Sequence, residues 1–417
     1  MKTFAGVLSS EPECLSVLFG VWLAGCRFAS LPDKARGMSD THYFDQIVDI
    51  LGLAETDVIF TSDSFGSIDL PGIKHLHYSD IVPDGDLSSM QKVSGSSNPK
   101  LIQFTSGSTG SPKGVVLNLN SVAFNVTAMI EGFGFTGEDT SASWLPLSHD
   151  MGLIGTCLQP LVAMNPDLAG MEKVWVLSPE GFLRDPLGWL RVDEGRCATF
   201  TMVPNFALDI MSRRLAHASA LDLRAFRHLI VSAETVRAGT LRGFDLQARR
   251  FGFDSNAFQP AYGMAEVTLG ASVVKSGNHW SSLLLEREAF ADGGVEILGR
   301  MQGDAGDLVL DAEEIVGLGT PFPGMAVRVT GDDPTRVGQI QIGGGSLAEA
   351  LIGDRELDLD DGFYPSEDLG FIENGELYFA GRTDDWIVIA GRNIDARDLE
   401  FRAGTHPELR PGNCVAV

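Results

Sequence analysis

TSGSTGSPKG, residues 105–114, lies between two apolar strand-like runs, Leu101 to Phe104 and Val115 to Leu117. Its three glycines let successive backbone N–H groups point into one concavity, an arrangement that binds anions. Its five hydroxyl residues can donate further hydrogen bonds, and its lysine adds a mobile positive charge. The stretch therefore predicts a loop that wraps a polyphosphate, and the candidate binding residues are Thr105, Ser106, Gly107, Ser108, Thr109, Gly110 and Lys113.

This loop differs from the Walker A loop, in which glycine directly precedes lysine and a helix follows. Here Pro112 precedes Lys113, and a β-branched run follows. The element is therefore expected to be a strand–loop–strand hairpin, which holds an anion without a helix N-terminus. An ordinary Ser/Gly turn with a solvated lysine is the alternative, and a P-loop nucleotide hydrolase is a more distant one.

The bulk composition narrows the class of protein. The 417 residues are enough for roughly two or three domains and a large core. A formal net charge of −25 argues against nucleic acid or an anionic membrane surface as the partner. The five cysteines are scattered without a CxxC pair, which indicates reduced thiols in a cytoplasmic protein. The apolar run Cys14 to Cys26 is too short for a membrane span and predicts a buried helix.

Strand and helix signals alternate along residues 1–300, which predicts an α/β fold of parallel sheets with crossover helices. One helix is expected to begin at an Asn120 cap and to end near Gly132. The other predicted elements are strands at 4–8, 27–31, 57–61, 199–203, 229–232 and 257–262, and helices at 12–25, 42–53, after Pro204 and at 237–250.

Beyond residue 300 the pattern changes to short β runs separated by Gly and Asp turns. This pattern of short strands and turns predicts a smaller β subdomain. Gly343-Gly344-Gly345 is interpreted as a turn without chemistry. The predicted strands lie at 307–310, 326–330, 339–342, 376–380 and 386–390.

A second cluster, Tyr262-Gly263-Met264-Ala265-Glu266, follows a predicted strand directly. Ligands of open α/β sheets bind at the carboxyl ends of strands. An aromatic ring there can stack on a purine, Gly263 allows close backbone approach, and Glu266 suits Mg²⁺ that bridges phosphates. Taken alone, the pentapeptide fits equally well a helix start with a capping glutamate.

A third cluster, Ser366-Glu367-Asp368-Leu369-Gly370, is followed by Gly381-Arg382. A carboxylate that accepts two hydrogen bonds is the usual partner of ribose hydroxyls, which makes Asp368 a candidate. A surface turn is the alternative for both segments.

Together these motifs resemble the acyl-adenylate-forming superfamily, which includes acyl-CoA synthetases, nonribosomal adenylation domains and luciferase. The sequence around these motifs is most similar to fatty acyl-AMP ligases, and the resemblance spans residues 4–417. It implies that the residues of the 105–114 loop bind phosphate and that Tyr262 stacks on adenine. It also implies that Glu266 binds the metal, Asp368 the ribose, and Arg382 the ribose or a phosphate.

The resemblance extends to the segments on either side of the expected acyl site. Trp144 to Gly152 is similar to a signature of acyl-AMP ligases, and His149 is a candidate for the acyl entrance or the carboxylate, with a structural histidine as the alternative. Val203-Pro204-Asn205-Phe206 resembles the acyl-pocket helix, and Ser232-Ala233-Glu234 resembles the adenine-contact turn. Two departures are Ser232 in place of the usual glycine and Ser366-Glu367 in place of Thr-Gly. Residues 271–298 resemble an insertion of acyl-AMP ligases.

The resemblance also implies a domain division. Residues 1–382 are expected to form the large N-terminal domain, with α/β subdomains at 1–300 and a mostly β subdomain at 301–382. Residues 383–417 are expected to begin a small α+β C-terminal domain after a hinge at Asp384. The family's catalytic lysine would lie beyond Val417, so the sequence is expected to be a fragment without the mobile lid, or else a protein that performs part of the reaction.

The implied activity is the ATP-dependent conversion of a hydrophobic, fatty-acid-like carboxylic acid to acyl-AMP, with release of pyrophosphate. Lys113, Thr109 and Glu266 with Mg²⁺ would stabilise the charge of pyrophosphate, and His149 would meet the acid. The acyl group would then pass to a phosphopantetheine thiol of CoA or an acyl carrier protein. The alternatives are transfer of a ready-made acyl-AMP to a thiol, and nucleotide binding without catalysis.

Overall fold

A computed structural model gives the fold. Two of the predicted features, the strand at 307–310 and the hinge at Asp384, lie outside the residues that it describes, and so do Gly107, Ser108, Thr109 and Gly110. The described residues are 1–34, 38–65, 70, 72–81, 98–106, 112–193, 195, 197–303, 312–352, 355–383, 386–389, 392–395, 399 and 403.

All six strands predicted between residues 4 and 262 are present, with ends that differ by at most two residues. In chain order, the strands of the described residues are β1 (Thr3–Gly6), β2 (Arg27–Ser30), β3 (Val58–Thr61), β4 (Lys74–His77), β5 (Lys100–Ser106), β6 (Pro112–Asn118), β7 (Thr140–Ser143), β8 (Lys173–Val176), β9 (Phe200–Pro204), β10 (His228–Ser232), β11 (Phe258–Gly263), β12 (Gly270–Val273), β13 (Ser281–Glu286), β14 (Ile297–Gln302), β15 (Ala312–Val316), β16 (Thr320–Pro321), β17 (Met325–Val329), β18 (Gly338–Gly344), β19 (Ala350–Leu351), β20 (Arg355–Glu356), β21 (Phe363–Glu373), β22 (Glu376–Arg382), β23 (Trp386–Ile389) and β24 (Arg392–Asp395).

The helices lie between these strands, and a π-helix at Met151–Leu158, which the sequence did not predict, runs directly into the fourth α-helix. The α-helices are α1 (Pro12–Leu23), α2 (Asp40–Leu53), α3 (Leu119–Phe133), α4 (Gln159–Ala163), α5 (Pro179–Arg184), α6 (Asn205–Leu215), α7 (Ala238–Ala248) and α8 (Arg287–Ala291). Short 3₁₀ turns occupy Asp63–Phe65, Tyr78–Asp80, Gly188–Arg191, Arg249–Phe251, Ser255–Ala257 and Ala265–Val267.

The predicted start of α3 was wrong, whereas its end near Gly132 was predicted to within two residues. Its cap is Asn118, whose Oδ1 accepts a hydrogen bond of 2.9 Å from Ser121 N, so Asn120 lies inside the helix. The helix ends at Gly134, which has the left-handed φ of 68° that favours glycine. Gly132 is a glycine for another reason, because a Cβ there would lie 2.5 Å from the ring of Phe322.

The first sheet has the strand order β20-β19-β6-β5-β2-β1-β3-β4. Strands β5, β2, β1, β3 and β4 pair in parallel, whereas β6 pairs antiparallel with β5. The predicted strand–loop–strand hairpin is therefore confirmed, and it lies at the junction of the parallel and antiparallel halves of the sheet.

The second sheet has the strand order β16-β12-β11-β10-β9-β7-β8, and its strands from β11 to β8 are parallel. Helices α6 and α7 connect β9 to β10 and β10 to β11. Parallel neighbours need such crossovers. The predicted α/β fold with crossover helices is confirmed.

The remaining strands form three small antiparallel sheets, β14-β13-β15, β17-β18-β21-β22 and β23-β24. The interpretation of Gly343-Gly344-Gly345 as a turn was wrong for Gly343 and Gly344, which end strand β18, whereas Gly345 lies in the turn that follows. Gly345 lies against an aromatic ring, since a Cβ there would be 2.7 Å from Phe124.

The two large sheets share one core. Leu101 and Val115 of the first sheet belong to the same buried cluster as Phe200 of the second sheet. Ile102, which points to the opposite face of the first sheet, packs instead with Ile47 of α2. This division follows from the alternation of side chains along a strand. In the part of the chain that the structure describes, no helix combines the length and apolar character needed to cross a membrane.

Candidate active site

The described end of the predicted phosphate loop is held by the β5–β6 hairpin. Thr105 and Ser106 end β5, and Lys113 is the second residue of β6. Thr105 and Lys113 are paired across the hairpin, and Thr105 Oγ1 donates a hydrogen bond to the Lys113 carbonyl at 3.5 Å. The hairpin therefore fixes Lys113 beside the loop.

The Lys113 ammonium contacts two other candidate residues. Its Nζ lies 2.8 Å from Glu266 Oε1 and 3.4 Å from the hydroxyl oxygen of Tyr364. The Tyr364 hydroxyl in turn lies 3.3 Å from Glu266 Oε1. We call these three residues the phosphate-side cluster. Its members come from the first sheet, the turn after β11 in the second sheet, and β21 in the small β sheet.

Charge and burial shift the pKa values in the phosphate-side cluster. Partial burial disfavours the Lys113 ammonium, but the hydrogen bond and charge of Glu266 outweigh it and raise the pKa of Lys113 above its usual value. Burial, followed by the Glu266 charge, raises the pKa of Tyr364 to about 12. At neutral pH the cluster therefore contains an ammonium and a protonated phenol around one carboxylate.

The Glu266 turn begins with a very close backbone approach. A Cβ at Gly263 would lie 1.8 Å from the carbonyl oxygen of Leu269, so only glycine fits there. Met264 N donates a hydrogen bond of 2.9 Å to the same oxygen. The two contacts close the loop that contains Glu266.

The same turn contains a strained residue. Thr268 has φ 74° and ψ −59°, and Leu269 N donates a hydrogen bond of 3.0 Å to Val267 O. These values describe a classic γ-turn, which is rare and strained for a β-branched residue. The buried Thr268 hydroxyl donates to Ser346 O at 2.7 Å, which helps to hold this conformation. Strained backbone of this kind clusters at functional sites.

One connecting segment, residues 346–352, contacts both the Glu266 turn and β6. Ala348 N donates to the Glu266 carbonyl at 2.8 Å, and Ile352 N donates to the Gly114 carbonyl at 2.8 Å. Gly114 has no room for a side chain, because a Cβ would lie 2.5 Å from Ile352. The segment therefore sets the distance between the turn and the strand of Lys113.

A second group of contacts, the adenosine-side cluster, contains Tyr262, Asp368 and Arg382. The Tyr262 hydroxyl donates to Asp368 Oδ2 at 2.7 Å, and Arg382 Nε donates to Asp368 Oδ1 at 3.0 Å. Burial, followed by the charge of Asp368, raises the pKa of Tyr262. The extra carboxylate at Glu367 lies 3.8 Å from the Arg382 guanidinium, so both carboxylates attract one arginine.

The predicted adenine-contact turn lies directly beside the predicted acyl-pocket helix. Ser232 ends β10, and Ala233 has a left-handed φ of 71°, which is uncommon for alanine. Glu234 Oε1 accepts a hydrogen bond from Phe206 N in the first turn of α6. Burial raises the pKa of Glu234, although the hydrogen bond from Phe206 opposes the rise.

Asn205, which was predicted to lie in the acyl pocket, is buried. Its side-chain amide forms hydrogen bonds with other residues of the protein. Its Oδ1 accepts a hydrogen bond of 3.0 Å from Arg237 N, and its Nδ2 lies 3.3 Å from Thr240 Oγ1. The side chain therefore fixes the start of α6 against α7, which is a positional role.

His149 lies just before the π-helix, paired with its neighbour. Its Nδ1 is 2.6 Å from Asp150 Oδ1, and Asp150 also accepts a hydrogen bond of 2.7 Å from Met151 N. The Asp150 charge raises the pKa of His149, and the side chain of His149 is 60% exposed. Within the described ranges, no hydrogen bond or ion pair joins His149 to either cluster.

The side chains of this site suit a magnesium ion that is held by a single carboxylate. Among the residues that the structure describes, no group of three or more His, Cys, Asp and Glu side chains converges on a metal position. Glu266 offers a carboxylate oxygen 2.8 Å from the Lys113 ammonium. Because Mg²⁺ is commonly held by one or two carboxylates together with substrate phosphates and water, a single carboxylate is sufficient.

Sequence reasoning missed Tyr364. Tyr364, Ser366 and Asp368 alternate along β21, and all three side chains are buried. Since side chains two residues apart share a face of a strand, the assignment of Asp368 as a site residue could have identified Tyr364.

Comparison with known proteins identifies the family. Residues 3–350 match the family of AMP-binding enzymes. Rv1013 of Mycobacterium tuberculosis, named a ligase, is 29% identical over 430 residues, which cover 99% of this chain and 76% of that protein. JamA of Moorena producens, a medium-chain-fatty-acid–acyl-carrier-protein ligase, is 31% identical over 336 residues, which cover 76% of this chain and 55% of JamA.

A solved structure has the same fold. The fatty acyl-adenylate ligase of L. pneumophila, in complex with acyl adenylate and pyrophosphate, superposes with a TM-score of 0.77 at 27% identity. The superposition covers 97% of this chain and 72% of that one, which confirms the adenylate-forming α/β fold. Because the family match covers most of its 417 residues, the chain belongs to the AMP-binding enzymes.

Proposed function

We propose that this chain activates a hydrophobic carboxylic acid with ATP, forming acyl-AMP and releasing pyrophosphate. Two contacts between distant segments of the chain support this proposal most strongly. Tyr262 lies near the end of β11 and Glu266 on the turn that follows it, and Asp368 and Tyr364 lie on β21. Tyr262 contacts Asp368, and Glu266 contacts Tyr364, so the two segments define an adenosine end and a phosphate end.

The proposed chemistry is attack of the acid's carboxylate oxygen on the α-phosphorus of ATP, with the bond to pyrophosphate breaking. The Lys113 ammonium and the hydroxyls of the loop, Thr109 among them, stabilise the negative charge of the departing pyrophosphate. Bound through Glu266, Mg²⁺ would supply further positive charge to the same oxygens. Charge stabilisation of this type is commonly a large part of catalysis.

The adenosine end contributes orientation. Asp368 accepts hydrogen bonds from the ribose hydroxyls, and Arg382, whose Nε donates to Asp368 Oδ1 at 3.0 Å, contacts the ribose or a phosphate. The Tyr262 ring and the turn at Ser232, Ala233 and Glu234 hold the adenine, with Gly263 and Met264 alongside. Fixing the α-phosphorus opposite the acid lowers the barrier by removing the need to bring reactants together.

The acid is proposed to be fatty-acid-like, and His149 is proposed to meet its carboxylate. JamA and the L. pneumophila protein, which act on fatty acyl groups by name, support the substrate class. The acceptor is proposed to be a phosphopantetheine thiol, which CoA and acyl carrier proteins share. The name of JamA favours a carrier protein. The division at 1–382 and 383–417, with a hinge at Asp384, is part of the proposal.

The test is exchange of radioactive pyrophosphate into ATP with a series of acids from four to eighteen carbons. It should be run with this chain and with the same chain extended at its C-terminus. We expect acid-dependent exchange that Lys113→Met and Glu266→Gln abolish and that Lys74→Met, an exposed lysine on an edge strand, leaves unchanged. CoA and a carrier protein are then compared as acceptors.

Absence of exchange with every acid in both chains would contradict adenylation. Thioester formation from supplied acyl-AMP would then identify a transferase, and nucleotide binding without either reaction would identify a binding protein.

A further inference from the structure

Tyr364 is the one member of the phosphate-side cluster for which the sequence motifs provide no role. We propose that Tyr364 is a positioning residue for the terminal phosphates of the nucleotide, an inference that rests on the proposed function. Its hydroxyl oxygen lies 3.4 Å from Lys113 Nζ and 3.3 Å from Glu266 Oε1, the two groups on which phosphate and metal binding depend.

The hydrogen-bond roles in this cluster are fixed by chemistry. Lys113 only donates, and ionised Glu266 only accepts. The Tyr364 hydroxyl must therefore accept from Lys113 and donate its single proton to Glu266. Phenylalanine fills the same space but can do neither.

Tyr364 lies where three sheets meet. Lys113 belongs to the first sheet and Glu266 to the second, and Tyr364 links both to the small antiparallel sheet through β21. Strand β21 also contains Asp368, four residues along and on the same face. One strand therefore sets the positions of both ends of the nucleotide site.

Nucleotide binding would change the partners of the hydroxyl. When phosphate oxygens take the Lys113 ammonium and the metal takes Glu266, the Tyr364 hydroxyl is released from both. It then faces the terminal phosphates with a proton to donate. The hydroxyl thus contacts both Lys113 and Glu266 in the free site and contacts a phosphate oxygen in the filled one.

The test compares Tyr364→Phe with a matched control, Tyr378→Phe. The Tyr378 hydroxyl also lies between a cation and a carboxylate, 3.1 Å from Arg300 and 2.7 Å from Glu376, but outside both clusters. Each protein is titrated by calorimetry with the inert analogue α,β-methylene-ATP plus Mg²⁺, and separately with AMP. AMP lacks the terminal phosphates and reports on the adenosine end alone.

We expect Tyr364→Phe to bind the analogue about tenfold more weakly than the unaltered chain, which corresponds to about 1.4 kcal/mol. Hydrogen bonds to charged groups have a net value of this order. Its AMP affinity should stay within about twofold, and Tyr378→Phe should match the unaltered chain with both ligands.

Three results would overturn the inference: unchanged analogue binding in Tyr364→Phe, an equal loss for AMP and the analogue, or an equal loss in Tyr378→Phe. The second would assign the hydroxyl to the stability of the small β sheet. Failure of the proposed function is a separate result, because the unaltered chain would then bind neither nucleotide, or would bind both without acid-dependent exchange.

Discussion

Replacing Gly263 by alanine tests how the Glu266 turn is held. The added methyl group would lie 1.8 Å from Leu269 O and 2.8 Å from Leu269 C, both of which are backbone atoms. No side chain can rotate away to relieve the contact. Cβ atoms essentially never lie within 3.0 Å of another heavy atom, so the two segments must separate by more than an ångström.

The cost of Gly263→Ala has two parts. Separation of the segments stretches the 2.9 Å hydrogen bond from Met264 N to Leu269 O beyond its useful length, a net loss of about 0.5–1.5 kcal/mol. Overpacking of a filled interior adds about 1–3 kcal/mol. We therefore expect the free energy of unfolding to fall by about 1.5–4.5 kcal/mol.

Urea unfolding followed by tryptophan fluorescence measures this change, since the chain has six tryptophans. The matched control is Gly239→Ala in α7, where a Cβ would meet nothing within 4 Å. Because alanine is the better helix former by up to about 1 kcal/mol, the control should be unchanged or slightly more stable.

Equal stability of Gly263→Ala and the unaltered chain would refute the account of the turn. If the turn tolerates a methyl group, then the close approach of Gly263 to Leu269 does not position Glu266. A destabilised variant that binds α,β-methylene-ATP with Mg²⁺ as well as the unaltered chain would refute the link from turn geometry to the phosphate site.

Three further predictions concern single side chains. Asp368→Asn should weaken AMP binding about tenfold in calorimetry, because a carboxylate at the ribose position becomes neutral; unchanged affinity would exclude it from the site. The Asp150 charge raises the pKa of His149 above 6.5, so their pair stabilises the folded chain fully below about pH 6.5 and loses this effect as pH rises through the raised pKa. His149→Gln should therefore reduce the free energy of unfolding in urea at pH 6 but hardly at pH 9, and an equal loss at both would contradict this. Asn118→Ala should lower the free energy of unfolding in urea by about 1 kcal/mol, whereas Asn120→Ala should lower it by less than about 0.5 kcal/mol. The reverse order would show that Asn120 is the cap, as the sequence predicted.

Much of the secondary structure could be predicted because its causes are local. The β5–β6 hairpin follows from two apolar runs around a Gly- and Ser-rich loop, and the α/β alternation follows from hydrophobic periodicity. The errors also have local causes. Asn118 and Asn120 are equally good caps by residue type, and only the end of the β6 ladder decides between them. The roles of Gly107, Ser108 and Thr109 stay predictions.

The sequence by itself determined the fold class, the family and the positions of the phosphate, adenine and ribose motifs, since each depends on residues close together in the chain. Only the tertiary structure decided which of these residues meet. Lys113 and Glu266 are 153 residues apart, and Tyr262 and Asp368 are 106 apart. Their contacts depend on how three sheets pack, and on a strained turn at Thr268 held by Ser346. Packing of distant segments is a property of the whole core. The alternation along β21 could therefore place Tyr364 on the buried face with Asp368, but only the packing of the sheets shows that it meets Lys113 and Glu266.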